Sequence, residues 1–255
     1  MECKSFVNFS PLRRWDFAYA GVSGGWGAVI FFAPVLLFCL QAALLVHPDS
    51  RQVGLWILQE NHPVELLTFV VFLFASVGGL FVGFRARRCG ASIEVYGFYG
   101  IFSVALLFIA LEEVAWGQWL FGFETPEVLR GLNVQGETTI HNLRGLQGHS
   151  EILRLIYGAG GLVGVGLARL PRFRSVGASA LLLPWFVVIL LHASIDVFND
   201  VVPIEAQFDC FMQKTSEFIE LLIAVSAALY FWLNLHLFVG GAEAVRACKK
   251  RPDPA

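Results

Sequence analysis

Two adjacent glutamates, Glu112 and Glu113, end a long apolar run and are the first candidates for chemistry in this chain. An acid this close to hydrocarbon is costly, so such side chains usually face a polar interior and have a partner. On a helix with 3.6 residues per turn, Glu113 shares a face with Trp116 and Gly117, and Glu112 points about a quarter-turn away. We therefore expect the two carboxylates to have different partners.

The segment after this run, residues 124–150, contains a second group of candidates. Thr125 as a cap and Pro126 in the first turn predict the start of a short helix. If residues 137–141 are helical, Glu137 and His141 share one face at i, i+4. That spacing suits two metal ligands, or a carboxylate that orients an imidazole.

Two later apolar runs also contain polar groups close to one of their ends. His192 and Asp196 are four residues apart, and Glu217 and Glu220 fall on one helix face. We expect polar or amphipathic side chains near the candidate acids to orient those acids or to bind a substrate. These side chains are Trp116, Gln118, Asn133, Gln135 and Asn142.

The elements that must position these residues are long apolar helices. Of 255 residues, 56% are hydrophobic and 15% are charged, whereas soluble domains have about 25% charged residues. Several runs reach the roughly 20 residues that a bilayer-spanning helix needs. We predict an all-α integral membrane protein, a bundle of six transmembrane helices. The predicted spans are Trp26–Val46, Pro63–Phe84, Val95–Leu120, Ile152–Leu170, Ala178–Phe198 and Ser216–Val239.

Residues 1–255 are predicted to form a single membrane domain, in which residues 26–240 are the six-span bundle with a structured outer loop between its third and fourth spans. Residues 1–25 mix aromatic with charged side chains and predict an interfacial helix on the membrane surface. Residues 241–255 form a basic tail. In the fourth span, the Gly160–Gly164 spacing predicts close helix packing, because a dinucleotide-binding glycine motif would have to follow a strand.

The basic residues define a predicted orientation. Thirteen of the 18 lysines and arginines lie on the side of the two termini, so the positive-inside rule places both termini in the cytoplasm. Fifteen of the 20 acidic residues lie on the opposite side, a distribution that this rule does not explain. The candidate acids and histidines thus form one layer at the outer face.

In the first of three hypotheses, this outer layer binds a divalent metal, namely zinc, iron or manganese. The predicted metal ligands are His141, His192, Glu113, Glu137 and Glu217. The predicted catalytic carboxylates, as further ligands or as a general base, are Glu112, Glu113, Glu137, Asp196, Glu217 and Glu220. A metal-activated water with one glutamate as base would give hydrolysis, and a di-iron centre would give oxidation.

The two alternatives use the same residues without a metal. In the structural hypothesis, the acids pair with basic side chains and backbone amides and hold the outer loop on the bundle. In the transport hypothesis, they form a proton or cation relay. Against transport, the inner halves of the spans are almost purely apolar and the two halves of the chain show no inverted repeat.

The third span and the loop after it resemble a group of bacterial multi-pass membrane proteins of unknown activity. The resemblance is carried by EEVAWGQ at 112–118, ETP at 124–126, NVQGE at 133–137 and HNL at 141–143. It covers only this short part of the chain and implies a location in the bacterial inner membrane.

Taken together, these patterns predict a metal-dependent hydrolase or oxidase that acts on a lipid or lipid-linked substrate at the outer leaflet. Its expected partners are the bilayer and that substrate, with no nucleic acid. The sequence does not define an oligomeric state.

Overall fold

The computed structural model describes residues 24–133, 136–140, 143, 150–202 and 204–239. This part of the chain is helical and contains no strand, apart from a single β-bridge between Asn133 and Leu143. The helices are α1 (Gly24–Val46), α2 (Arg51–Ile57), α3 (Pro63–Arg88), α4 (Ile93–Glu113), α5 (Gln118–Phe121), α6 (Glu127–Leu132), α7 (Ser150–Leu167), α8 (Leu183–Val201) and α9 (Ala206–Val239).

Six of these helices, α1, α3, α4, α7, α8 and α9, are long and apolar enough to cross a membrane. This finding confirms the predicted all-α fold with six long apolar helices. Many apolar side chains on their outer surfaces face away from the bundle, for example Phe74 at 71% exposure and Ile101 at 76%. Such a surface fits hydrocarbon better than water. The predicted interfacial helix and basic tail lie outside the described residues.

Successive long helices alternate in direction, so the bundle has two distinct ends. Trp185 Nε1 donates to the Ile30 carbonyl (2.8 Å) near one end, and Gln41 Nε2 donates to Thr215 Oγ1 (3.3 Å) towards the other. We call the end at which α3 finishes and α4 begins the arginine end, after Arg85, Arg87 and Arg88. The opposite end, where α4 finishes, is the acidic end.

Helix α9 packs along α3, which packs along α4, and α7 packs along α8. The interior between them is apolar and includes Phe72, Leu222 and Phe231. Glycines bring α7 close to α8: a Cβ on Gly158 would lie 2.9 Å from the Leu190 backbone nitrogen, and one on Gly161 would overlap the Phe186 ring.

The predicted packing role of the α7 glycines is therefore confirmed, but the predicted Gly160–Gly164 pair is wrong. A Cβ added at Gly160 would have no heavy atom of another described residue within 4 Å, and one at Gly164 would make only ordinary contact with Ala178. The closest approach instead uses Gly158 and Gly161, which are three residues apart and therefore share one helix face.

The third span is shorter than the predicted Val95–Leu120, because α4 ends at Glu113. Ala115, Trp116 and Gly117 all have positive φ angles, of 46°, 57° and 83°. Three successive left-handed residues cannot continue a right-handed helix. The prediction that Glu113 shares a helix face with Trp116 and Gly117 is consequently wrong.

Candidate functional site

Glu112 holds the loop that follows α4 against the end of that helix. Its Oε1 accepts a hydrogen bond from Trp116 Nε1 (2.5 Å), and its Oε2 accepts one from the Ile140 backbone N–H (2.7 Å). The left-handed turn makes the first contact feasible, since it folds Trp116 back towards the preceding helix turn. Glu112 is buried and connects helix, turn and loop.

Gln118 and Thr125 connect the two sides of the loop. Gln118 Oε1 accepts hydrogen bonds from the backbone N–H (2.8 Å) and the hydroxyl (2.9 Å) of Thr138, and its Nε2 donates to Thr125 Oγ1 (2.8 Å). Thr125 in turn donates to the Gly136 carbonyl (2.6 Å). The prediction that Thr125 caps the next helix is wrong, because Pro126 occupies the cap position of α6 and the threonine hydroxyl is used across the loop.

Asn133 makes hydrogen bonds to other residues of the same loop. Its Nδ2 donates to the Thr139 carbonyl (2.8 Å), and its Oδ1 accepts from the Glu137 backbone N–H (3.2 Å). Residues 136–140 form bends, with Gly136 at a φ of 71°, so the helix considered for residues 137–141 is absent from its described part. Three candidate site residues, Gln135, His141 and Asn142, lie outside the described residues.

Five glutamates from four segments come together at the acidic end and form what we call the acidic cluster. Glu113 interacts electrostatically with Glu65, Glu217 and Glu220, and Glu65 also interacts with Glu137. All five side chains are partly buried. Neither Glu113 nor Glu217 makes a hydrogen bond or ion pair to another described residue. Glu113 and Glu217 thus lie among other carboxyl groups, and electrostatic contacts connect Glu113 with three of them.

Glu65 is the member of the acidic cluster that the sequence places in the outer layer, at the start of the second span, without a catalytic or ligand role. It lies in the first turn of α3, where an acid ordinarily complements the positive end of the helix. Here it accepts a hydrogen bond from the Asn61 backbone N–H and also faces Glu137 and Glu220. Its position at the start of a span was the available signal, but only the tertiary fold reveals its neighbours.

A second polar group lies beside the acidic cluster and is centred on Arg154 of α7. The Arg154 side chain is 7% exposed, and its Nη2 contacts Asp196 Oδ2 of α8 at 3.0 Å. Its Nη1 lies 3.7 Å from Glu220 Oε1 of α9. Asp196 also accepts from the Ser216 hydroxyl (3.2 Å). Arg154, which the sequence placed only in the structural hypothesis, therefore joins three helices and reaches the acidic cluster through Glu220.

His192 belongs to this second group. It is 4% exposed, and neither ring nitrogen has a hydrogen-bond partner among the described residues. Its electrostatic neighbours are the Arg154 guanidinium and the Met212 backbone. A metal cation bound to this imidazole would be repelled by the guanidinium. The ligand role of His192 stays a prediction that its surroundings do not favour.

Within the described residues, no three His, Cys, Asp or Glu side chains are already arranged to hold a metal ion. The acidic cluster nevertheless supplies oxygen donors of the type that hard and borderline divalent cations prefer.

No family model, curated protein or solved structure matches this chain. The resemblance to bacterial multi-pass proteins stays a prediction. The geometry of the acidic end therefore provides the main basis for a functional proposal.

Proposed function

We propose that this chain is a metal-dependent membrane enzyme, a hydrolase or oxidase, whose active site is the acidic cluster. The observation that carries the proposal is the convergence of Glu113 from α4 and Glu217 from α9, neither with a fixed partner among the described residues. Carboxylates placed together near hydrocarbon repel each other and lose solvation, so an arrangement of this kind needs a compensating cation or protons.

The proposed metal ligands are Glu113, Glu217 and Glu137, with His141 supplying an imidazole from the same loop as Glu137. A set dominated by carboxylates favours manganese or iron over zinc. When bound, such a metal supplies Lewis acidity and lowers the pKa of a bound water. Glu220, the remaining acid on the α9 face, acts as the general base, and Arg154 lies 3.7 Å from its carboxylate.

The proposed substrate is a lipid or lipid-linked molecule. The acidic cluster lies where apolar helices meet a polar loop, so a substrate with an apolar chain and a polar head would match both surroundings. We place this end at the outer face of a bacterial inner membrane, with both termini in the cytoplasm. Trp116 is a proposed substrate contact, because it is exposed next to the loop and its ring packs edge-on against Phe108.

Metal content of the purified full-length chain tests the proposal. After gentle purification in a mild detergent, we expect a stoichiometric transition metal by elemental analysis. Glu113→Gln, Glu217→Gln and His141→Ala should each weaken binding of added Mn²⁺ by at least about ten-fold, the smallest effect typical of residues around a metal site. Glu94→Gln is the matched control, because Glu94 is an exposed glutamate at the arginine end.

A metal content below about 0.1 per chain, together with no binding of added Mn²⁺ or Fe²⁺, would refute the metal-dependent enzyme. Equal weakening in the Glu94→Gln control would show that the effect reflects overall charge and not the acidic cluster. Either outcome can be read from folded, monodisperse protein without knowledge of the substrate.

A non-catalytic role is the second candidate, and the Arg154 contacts favour it. A buried guanidinium that joins Asp196 and Glu220, together with Glu112 bonded to the loop, is what a purely structural polar layer would contain. Under this alternative, Glu113→Gln would lower thermal stability without any loss of metal. No observation specifically favours transport, since Ile189, Leu222 and Phe72 fill the interior between the acidic cluster and the arginine end.

A further inference from the structure

The arginine end of the bundle presents a second charged surface, which the proposed enzyme does not use. Three arginines occupy the last turn of α3, and three more lie on the segment between α7 and α8. Apart from Glu94, the described residues of these two segments and of the first turn of α4 contain no acid. The arginines are Arg85, Arg87, Arg88, Arg169, Arg172 and Arg174.

The fold holds the two arginine-bearing segments together. Tyr99 of α4 donates to the Ser175 carbonyl (2.6 Å), and Tyr230 of α9 donates to the Val176 carbonyl (2.7 Å). Asn234 donates to the Gly177 carbonyl (3.1 Å) and to the Tyr99 hydroxyl (3.0 Å). These bonds use backbone carbonyls that would otherwise be left without partners close to an apolar layer. They fix the 168–179 segment against the start of α4.

Both segments consequently reach the first turn of α4. The Arg87 guanidinium lies 5.8 Å from the centre of the Tyr96 ring, and Arg172 interacts electrostatically with Glu94. Arg88 lies over the Phe84 ring at 4.4 Å. Guanidinium groups that rest on aromatic rings keep their planar donor edges directed away from the ring face and available to an acceptor.

Guanidinium donors at this end are positioned to meet a ligand. Arg87, Arg88 and Arg172 are exposed, whereas Arg85 is partly buried and its Nε has no hydrogen-bond partner among the described residues. The Arg85 Nε is itself buried from solvent, so a phosphate oxygen can reach the exposed guanidinium groups of Arg87, Arg88 and Arg172 instead. Guanidinium groups bind phosphate in a planar, often bidentate geometry.

We propose that this surface binds the headgroup of an anionic phospholipid in the leaflet at the arginine end. A phospholipid fits better than another anion because exposed apolar side chains of α3 and α4, including Phe84 and Ile93, continue from the arginines along the bundle and can contact the acyl chains. Basic residues at a membrane surface each increase the affinity for anionic lipid by about five-fold. This inference is independent of the proposed enzyme, since it uses the opposite end of the molecule.

Native mass spectrometry of the full-length chain in detergent tests the surface, with dioleoyl phosphatidylglycerol and dioleoyl phosphatidylcholine as the two probes. Wild type should bind phosphatidylglycerol at least about five-fold more tightly than phosphatidylcholine. Arg87→Gln/Arg172→Gln should remove most of that preference, and Arg87→Lys/Arg172→Lys should retain most of it. The matched control, Arg51→Gln/Arg130→Gln, removes the same charge from exposed arginines elsewhere and should keep the wild-type preference.

Equal affinity of wild type for the two lipids would overturn the proposal, as would the same loss of preference in the control variant. Inorganic phosphate, added at millimolar concentration, is a third probe. If wild type binds it with the same affinity as phosphatidylglycerol, the ligand is a free anion and the lipid assignment is wrong. Because the variants change exposed side chains, they should remain folded, and melting temperatures within a few degrees of wild type would verify this.

Discussion

At the scale of single residues, two neighbouring glutamates with the same chemistry have opposite surroundings. Glu112 accepts hydrogen bonds from Trp116 and Ile140, so its carboxylate is fully used in holding the loop. Glu113 interacts mainly with other carboxylates. The sequence indicated that the pair would differ, because adjacent positions on a helix point in different directions. It could not indicate which of the two is structural.

This difference predicts opposite effects of the same substitution. Glu112→Gln replaces one accepting oxygen with an amide that cannot accept, so the free energy of unfolding should fall by about 1 to 3 kcal/mol. Glu113→Gln removes a carboxyl group that lies among other carboxyl groups and accepts no hydrogen bond from a described residue, so it should leave stability unchanged or raise it. Thermal unfolding of both variants in one detergent measures the comparison. An equal loss of stability in the two variants would instead support the structural role of the whole acidic layer.

At the scale of elements, the turn after α4 decides where the candidate residues point. The sequence correctly indicated the six long helices, because an uninterrupted apolar run of about 20 residues is a local pattern that needs no knowledge of the tertiary fold. It misplaced the end of the third, because the run AWGQWLF contains no proline or charge to interrupt the pattern. The left-handed conformation at Ala115 and Trp116 accompanies the Trp116–Glu112 hydrogen bond and the contact of Glu112 with Ile140 in the loop, and the second of these is visible only in the tertiary fold.

The acidic cluster likewise contains features that the sequence pattern predicts and features that only tertiary contacts determine. Helix direction alone predicts that one layer contains Glu113, Glu217 and Glu220. The place of Glu65 in that layer follows in the same way, but its contact with Glu113 and the pairing of Arg154 with Asp196 depend on which helices are neighbours. A single sequence with six apolar helices does not specify that arrangement, because apolar helix faces in a membrane are nearly interchangeable.

The turn predicts a contrast between two glycines. Gly117 has a φ of 83°, a left-handed conformation that is unfavourable for alanine. Gly117→Ala should therefore lower the free energy of unfolding by about 1 to 2 kcal/mol. The added Cβ would also lie 2.9 Å from the Phe121 ring. Gly97→Ala is the control. Gly97 lies within α4 with no heavy atom of another described residue within 4 Å of an added Cβ, and alanine there should stabilise by up to about 1 kcal/mol.

Chemical or thermal unfolding of the two alanine variants in detergent measures this contrast. If Gly117→Ala were as stable as Gly97→Ala, the left-handed turn would not be a feature of the folded protein. The position of Trp116 against Glu112 would then need another explanation.

At the scale of the whole molecule, α9 is the element that joins two groups of helices. It packs along α3 and contacts α8, while α7 packs along α8. Polar contacts connect the two groups at three levels: Arg154 with Glu220 at the acidic end, Tyr157 with Ser226 (2.9 Å) in the middle, and Tyr230 with the Val176 carbonyl at the arginine end. Between these levels the interior is mostly apolar, although Ser76 of α3 donates to the Ser103 carbonyl of α4 (2.8 Å). Polar contacts within an apolar interior also fix the register of the helices.

Arg154 should therefore stabilise the assembled bundle far more than an exposed arginine does. Arg154→Met leaves Asp196 and Glu220 without their shared cation in a buried position, so the free energy of unfolding should fall by about 3 to 5 kcal/mol. Arg154→Met/Asp196→Asn should recover part of this loss, because the double variant no longer buries the uncompensated Asp196 charge. Arg130→Met breaks an exposed pair with Glu124, at 55% and 88% side-chain exposure, and should cost less than about 1 kcal/mol.

Equilibrium unfolding of the four proteins, wild type and the three variants, determines whether the Arg154 network joins the helices. A partial recovery in the double variant would show that the loss in Arg154→Met comes from the unpaired carboxylate and not from a packing defect. If Arg154→Met cost no more than Arg130→Met, the Arg154 network would not contribute to holding the helices together. The Arg154–Glu220 contact would then have no part in positioning the acidic cluster.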